Sequence, residues 1–216
     1  MPPCEVLVWW APLSALRPID LSLLDDTEQD RLESFSDPDA GRRFALGAVL
    51  LRLAVSTLTD LSPRSVSVDR SDNGRPVVAG GPHVSVSHSH DLVAVACTDA
   101  APVGLDVEMI EGELMPVGTS PLDVLAPGAH RALVTWTMKE AYLKAVGTGL
   151  RTEPKAVALS GDERRAQVTH APDGLPLPAY VSGVSVRAGY VGAVCVLGDD
   201  EPVVVVRDGT TLLAIS

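Results

Sequence analysis

Lysine is scarce in this chain: Lys139, Lys144 and Lys155 are its only lysines, and the rest of its 17 basic residues are arginines. Arginines fork well onto phosphates. Cysteine is also scarce. Cys4, Cys97 and Cys195 lie far apart, are odd in number and have no metal-binding spacing. Two of them sit in apolar runs, LVAVAC and VGAVCV, so buried reduced thiols are expected. No basic-then-apolar leader opens the sequence, and no apolar run is long enough to cross a bilayer. A cytoplasmic location is therefore expected. Base is outnumbered by acid, 17 to 28, for a net charge of −11. A field of that sign disfavours nucleic acid and anionic membranes as partners. An anionic ligand would have to be held by a local cluster of base.

What is present suits a folded protein: 216 residues, 46% hydrophobic, enough for one compact domain or two small ones. EVLVWWA (5–11) reads as a strand, and 25–35 as a polar helix. The run 41–60 has apolar residues at three- and four-residue spacing, the mark of a stronger helix that Ser62-Pro63 would end. SVSVDR (65–70) alternates as a strand, and SDNGRP (71–76) is a turn. HVSVSHSHDLVAVAC (83–97) reads as two strands about a short turn, and VGLDVEMI (103–110) as another. The stretch 111–129 is rich in Gly and Pro and reads as loop; 130–147 reads as a helix closed by Gly147 or Gly149. KAVALS, RAQVTH, YVSGVSVRAGYVGAVCVL and PVVVVR are strand-like. Helices and strands mix without strict alternation, which points to an α+β fold.

A weak internal echo runs through the pattern. VSVSHSHDLVAVAC then PVGLDVE resembles VSVRAGYVGAVCVL then PVVVVR. A duplicated half-domain would produce this, and so would chance among valine-rich strands.

Asp106 and Glu108 are two apart on a strand, so both carboxylates share one face. They could simply form a wet polar face. Their mutual repulsion is easier to accommodate beside a hard cation such as Mg²⁺. Glu140 and Lys144 are four apart on a helix, the spacing of an ordinary surface ion pair. Trp136, Leu143 and Gly147 lie on or beside the same stripe, so the pair borders a buried face. Ser87-His88-Ser89-His90 and Asn73-Gly74-Arg75-Pro76 read alone as polar turns, and Arg42, Arg43 and Arg52 as solvated helix arginines.

The order of these motifs is specific where each alone is not. FSDPDAGRRFALGAVLLR, NGRP, VSVSHS, VGLDVE and WTMKEAYLKAVGTGL follow one another from about Arg31 to Leu150. That series resembles the phosphopantetheinyl transferases, specifically the single-chain surfactin-synthetase-activating (Sfp) type. The resemblance implies a pseudo-dimer of two similar α+β halves, 1–102 and 103–216, with the active site in the cleft between them and a monomer sufficing. It implies transfer of 4′-phosphopantetheine from coenzyme A to a serine of an apo acyl or peptidyl carrier protein, leaving adenosine 3′,5′-bisphosphate. By match to the motifs, Asp106, Glu108 and Glu140 would hold Mg²⁺, and Lys144 would contact the pyrophosphate. Ser87 and His88 would bind phosphates of coenzyme A. Gly74, Arg75 and Pro76 would line its adenosine end, with Arg70 beside them, and Arg31 and Arg43 would meet the 3′-phosphate. Glu140, Lys144 and His88 are the expected catalytic residues, with Glu140 the candidate base. The segment between Glu108 and Trp136 is short for the type and lacks a matching carboxylate, which bears on carrier docking. A non-catalytic carrier- or coenzyme A-binding module is the alternative; an unrelated Mg²⁺ enzyme acting on another phosphoanhydride is a third reading.

Overall fold

The computed structural model describes residues 4–110 and 127–214. The elements run β1 (Glu5–Pro12), α1 (Asp26–Glu33), α2 (Pro38–Ser56), β2 (Val68–Arg70), β3 (Pro76–Val78), β4 (His83–Ser89), β5 (Leu92–Thr98) and β6 (Val103–Met109). After the undescribed segment come α3 (Pro127–Val146), β7 (Ala158–Gly161), β8 (Arg165–His170), β9 (Ala179–Val184), β10 (Tyr190–Leu197), β11 (Val203–Asp208) and α4 (Thr210–Leu213). The fold is mixed α+β, as the sequence pattern indicates.

Two larger sheets carry the architecture. One has the order β11-β1-β5-β4 and the other β6-β10-β9-β8-β7; β2 and β3 form a separate ribbon. Period-two alternation sorts the side chains into layers. Leu7, Trp9, Ala11, Val93, Val95 and Cys97 face α2, where Leu46, Val49, Leu50 and Val55 meet them. Val6, Val8, Leu92, Ala94 and Ala96 face the opposite way, onto Val103, Leu105, Val107, Val194 and Val196 of the second sheet. Ala193, Cys195, Val181 and Val168 then pack under α3, against Met138, Ala141, Tyr142 and Leu143. The stack is helix, sheet, sheet, helix. Each fully buried leucine or valine contributes about 1.5–3 kcal/mol. β5 is buried along its whole length, which explains why its sequence is continuously apolar and does not alternate. All three cysteines are free and buried, Cys97 and Cys195 as their apolar neighbours indicate.

The two sheets grow from the same order of elements: strand, long helix, then two strands whose second becomes the inner neighbour of the first. β1-α2-β4-β5 follows it, and so does β6-α3-β9-β10. The echo noted in the sequence locates β5 and β10 correctly but misplaces the strand before. VSVRAG, matched to β4, holds only the last residue of β9 and then a loop.

Other boundaries shift for identifiable reasons. α2 begins at Pro38 behind an Asp37 cap and ends at Ser56, six residues before Ser62-Pro63. Thr57, Leu58 and Thr59 already leave the helix, and the Thr57 and Thr59 hydroxyls bond back to its carbonyls. Of SVSVDR only Val68–Arg70 is strand, because its partner β3 is three residues long. α3 begins at residue 127 and not 130. The expected 111–129 loop lies, from 111 to 126, outside the described residues. β11, near the end of the chain, returns to pair in parallel with β1. No helix among the described residues is long and apolar enough to cross a membrane.

Candidate active site

β6 and α3 make the centre of the site. Val103, Leu105 and Val107 point into the core between the sheets, so Gly104, Asp106 and Glu108 face α3. Gly104 explains how closely the helix lies. A β-carbon there would fall inside the backbone of Ala141 and Ala145, so only glycine lets α3 rest on β6. That contact places Glu140 and Lys144 over Asp106.

The polar groups form one cluster. Lys144 Nζ lies 2.7 Å from Asp106 Oδ1 and donates to Ser87 Oγ at 2.8 Å. Ser87 Oγ in turn donates to Asp106 Oδ1 at 3.0 Å, and Ser89 Oγ to Glu108 Oε2 at 3.0 Å. Ser85, Ser87 and Ser89 project on one face of β4 and accept the backbone N–H groups of Leu105, Val107 and Met109. These hydroxyls join β4 to β6 in place of a backbone ladder. Their alternation is visible in V-S-V-S-H-S, yet the sequence alone gives Ser85 and Ser89 no separate role. Ser87 is buried, with its hydroxyl engaged by Asp106 and Lys144.

Asp106 Oδ2 and Glu140 Oε1 are buried without a hydrogen-bond partner. Burial raises the Glu140 pKa first, with the Asp106 charge next; burial and then Asp106 also raise that of Glu108. Orphaned, mutually repelling carboxylate oxygens are the donor chemistry of a hard cation, which commonly takes one or two carboxylates and completes its shell with phosphates and water. Asp106 and Glu140 fit Mg²⁺ in this sense. Among the described residues no three acidic, histidine or cysteine side chains already converge as a metal cage.

Beside the cluster opens a cleft of about 490 Å³. Arg31, Arg43, Arg70, Gly74, Arg75, Pro76, His88 and Lys144 all line it. Most of its base comes from separate elements. The Arg31 and Arg70 guanidinium groups stack on the Phe44 ring, 5.1 and 5.5 Å from its centroid. Loss of water and then the charge of Arg31 hold the Arg70 pKa below its ordinary value. Two like charges gathered on one ring are the local basic cluster that an acidic chain needs for an anion. His88 is pushed down by burial, then by Lys144 and Arg43, which favours the neutral imidazole. Arg43 also reaches Asp37 at 3.3 Å and the His90 carbonyl at 3.4 Å. Phe44 carried no sequence signal as a platform for arginine.

Arg52 is a correction: it is not a solvated helix arginine. Its side chain is buried and meets Glu28 at 2.7 Å and Asp25 at 3.0 Å. Asp25 caps α1 with Glu28 in a reciprocal capping box, so this triad fastens α1, and with it Arg31, onto α2.

Residues 8–100 match the model of the 4′-phosphopantetheinyl transferase N-terminal domain, and residues 102–195 match that of the 4′-phosphopantetheinyl transferase superfamily. A 4′-phosphopantetheinyl transferase of Bacillus pumilus is 31% identical over 166 residues, covering 71% of this chain and 70% of the relative. One from Nostoc is 29% identical over 187 residues, covering 74% and 76%. A phosphopantetheinyl transferase of Thraustochytrium is 28% identical over 185 residues; the match covers 69% of this chain but 63% of that longer relative, under two thirds of its length. With the acidic cluster, the basic cleft and these matches in agreement, the chain belongs to the 4′-phosphopantetheinyl transferase superfamily, in its single-chain Sfp type.

Proposed function

We propose that this protein transfers the 4′-phosphopantetheine arm of coenzyme A to a serine of an apo acyl or peptidyl carrier protein. The observation that carries the reading is the juncture of the basic cleft with the acidic cluster, bridged by Lys144. Arg31, Arg43 and Arg70 would take the nucleotide phosphates, with Gly74, Arg75 and Pro76 along the adenosine side. His88 lines the cleft, where its ring can donate an N–H to a phosphate oxygen. Lys144 would meet the pyrophosphate, held by Asp106 and Ser87 with its charge turned to the bond that breaks. Asp106, Glu108 and Glu140 are the residues that would hold Mg²⁺. When bound, the ion would supply neutralisation of the charge growing on the departing phosphate.

In the reaction the serine oxygen bonds to the phosphorus next to pantetheine, and the bond from that phosphorus to the nucleotide phosphate breaks. The electron pair leaves with adenosine 3′,5′-bisphosphate. Glu140, which α3 holds over Asp106, is the residue proposed to take the serine proton. Halves 1–102 and 103–216 would act as a pseudo-dimer on one chain, the second lending β11 to the sheet of the first, so that a cytoplasmic monomer suffices. The repeated strand–helix–strand–strand order supports that reading.

The test is the intact mass of an apo peptidyl and an apo acyl carrier, each incubated with the protein, coenzyme A and Mg²⁺. A gain of one phosphopantetheine that disappears with chelator is expected. No gain on either carrier, with coenzyme A measurably bound, would overturn the reading in favour of a binding module.

A further inference from the structure

The turn Asn73–Pro76 reaches past the cleft wall to the elements behind it. Arg75 donates Nη1 to the Ala145 carbonyl at 3.1 Å and Nη2 to the Val103 carbonyl at 3.0 Å. Asn73 donates its Nδ2 to the Gly147 carbonyl. Ala145 and Gly147 close α3, next to Lys144; Val103 opens β6, three residues before Asp106. The α3 terminus is a left-handed glycine cap: Gly147 has φ +83°, and its N–H and that of Thr148 both return to Leu143. The last carbonyls of a helix have no partner within it, and a cation there also suits the negative end of the helix dipole. One turn of the first half thus supplies what the end of α3 lacks, and ties it to β6.

We propose that Arg75, assisted by Asn73, is a positioning residue that locks the end of α3 to β6, so that Lys144 and Glu140 stand over Asp106. The inference rests on the transferase reading above, and it gives Arg75 a task other than gripping a phosphate. Both of its Nη atoms are committed to backbone carbonyls. The guanidinium reaches its two acceptors with two nitrogens held in one plane; a lysine brings a single nitrogen and cannot set both bonds in that geometry.

The experiment compares coenzyme A with 3′-dephospho-coenzyme A as donor, using the full chain and an apo carrier. The variants are Arg75→Lys, Asn73→Ala and, for comparison, Arg70→Ala. Amide hydrogen exchange of residues 140–147 is followed in each. A misplaced catalytic helix costs about tenfold to a hundredfold in rate. Arg75→Lys and Asn73→Ala should therefore lower kcat by that order with both donors. The preference for the 3′-phosphate should stay unchanged, and exchange at the end of α3 should be faster. Arg70→Ala should instead erode the preference. The proposal is overturned if Arg75→Lys raises KM for coenzyme A and abolishes the preference while kcat holds. It is equally overturned if exchange in α3 does not change. Should Arg75→Lys fail to fold, Asn73→Ala, which removes the bond to Gly147 and the one accepted from the Ser71 hydroxyl, decides by the same readouts. No transfer by the unaltered protein would instead overturn the transferase reading, and exchange in α3 would still judge the lock.

Discussion

Lys144 Nζ lies 2.7 Å from Asp106 Oδ1, and this cross-element pair is the site's ion pair, even though Glu140 stands one helical turn from the lysine. Four-residue spacing on α3 made Glu140 the obvious partner. The resting of α3 on β6 brings Asp106 closer and frees Glu140 for other work.

Lys144→Met should abolish most transfer and also weaken the fold. Asp106 is 4% exposed and would keep only the Ser87 hydroxyl on its bonded oxygen. A buried acceptor that loses its charged donor costs about 1–3 kcal/mol. The expected outcome is a lower urea midpoint together with a rate at least about a hundredfold down, as for loss of one preorganised charge donor.

Glu140→Gln should separate activity from stability. The carboxylate has one buried oxygen without a partner. Making it neutral removes that desolvation penalty, so the melting temperature should hold or rise while transfer fails. Stabilising single changes are commonly worth about 0.5–2 kcal/mol, with lost function the cost at a strained active site. A melting temperature several degrees lower would show that the carboxylate is structural.

Gly104→Ala should be far worse than a surface methyl. The added carbon meets helix backbone, which cannot rotate away as a side chain can. Overpacking of this kind typically costs about 1–3 kcal/mol. Activity should fall further than stability, because relief requires α3 to lift away from Asp106. Thermal unfolding and initial rates on the same preparation would check it.

Arg52→Leu should be among the most destabilising single changes. It strands Glu28, which is 5% exposed, without its guanidinium. Breaking a buried pair from one side costs about 3–5 kcal/mol. Replacing Arg52 and Glu28 together by apolar residues should recover part of that loss in urea unfolding.

Acid should loosen the join between the two hairpins. Asp91 bonds to the Tyr190 hydroxyl and to Arg187 at 2.7 Å. The tyrosine bond first, then the arginine, lowers its pKa from 3.8, against a raising effect of partial burial. A depressed folded-state pKa stabilises the fold above the unfolded value and is lost as pH falls through the folded one. The contribution is thus present at neutral pH and fades below about pH 4. Asp91→Asn should lower stability at pH 7 and flatten the acid limb of a melting-temperature profile. The carboxylate is about half exposed, so added salt should shrink the effect.

Much of the fold was legible because its layers follow local periodicity. Apolar alternation marked β4, continuous apolar runs marked β1 and β5, and three- and four-residue spacing marked α2. Boundaries were less legible where a partner decides them. β2 is short because β3 is short, and α2 stops where threonine hydroxyls take its carbonyls. The carboxylates of β6 could be read as sharing a face, since a strand's period is local. That this face looks at α3 could not be read, because it depends on which side of β6 the core between the sheets occupies.

The sequence by itself determined the composition of the site: three carboxylates, a lysine, a serine-histidine run and scattered arginines, in an order that marks the family. The tertiary structure alone decided which of them touch. Gly104 shows the reason. Its lack of a β-carbon is written in the sequence, but its consequence, a helix resting on a strand, exists only when both are packed. Arg52 and Arg75 read alike as lone arginines. One became a buried anchor for α1 and the other a tie between α3 and β6, because the carboxylates and carbonyls that claim them come from distant stretches of chain.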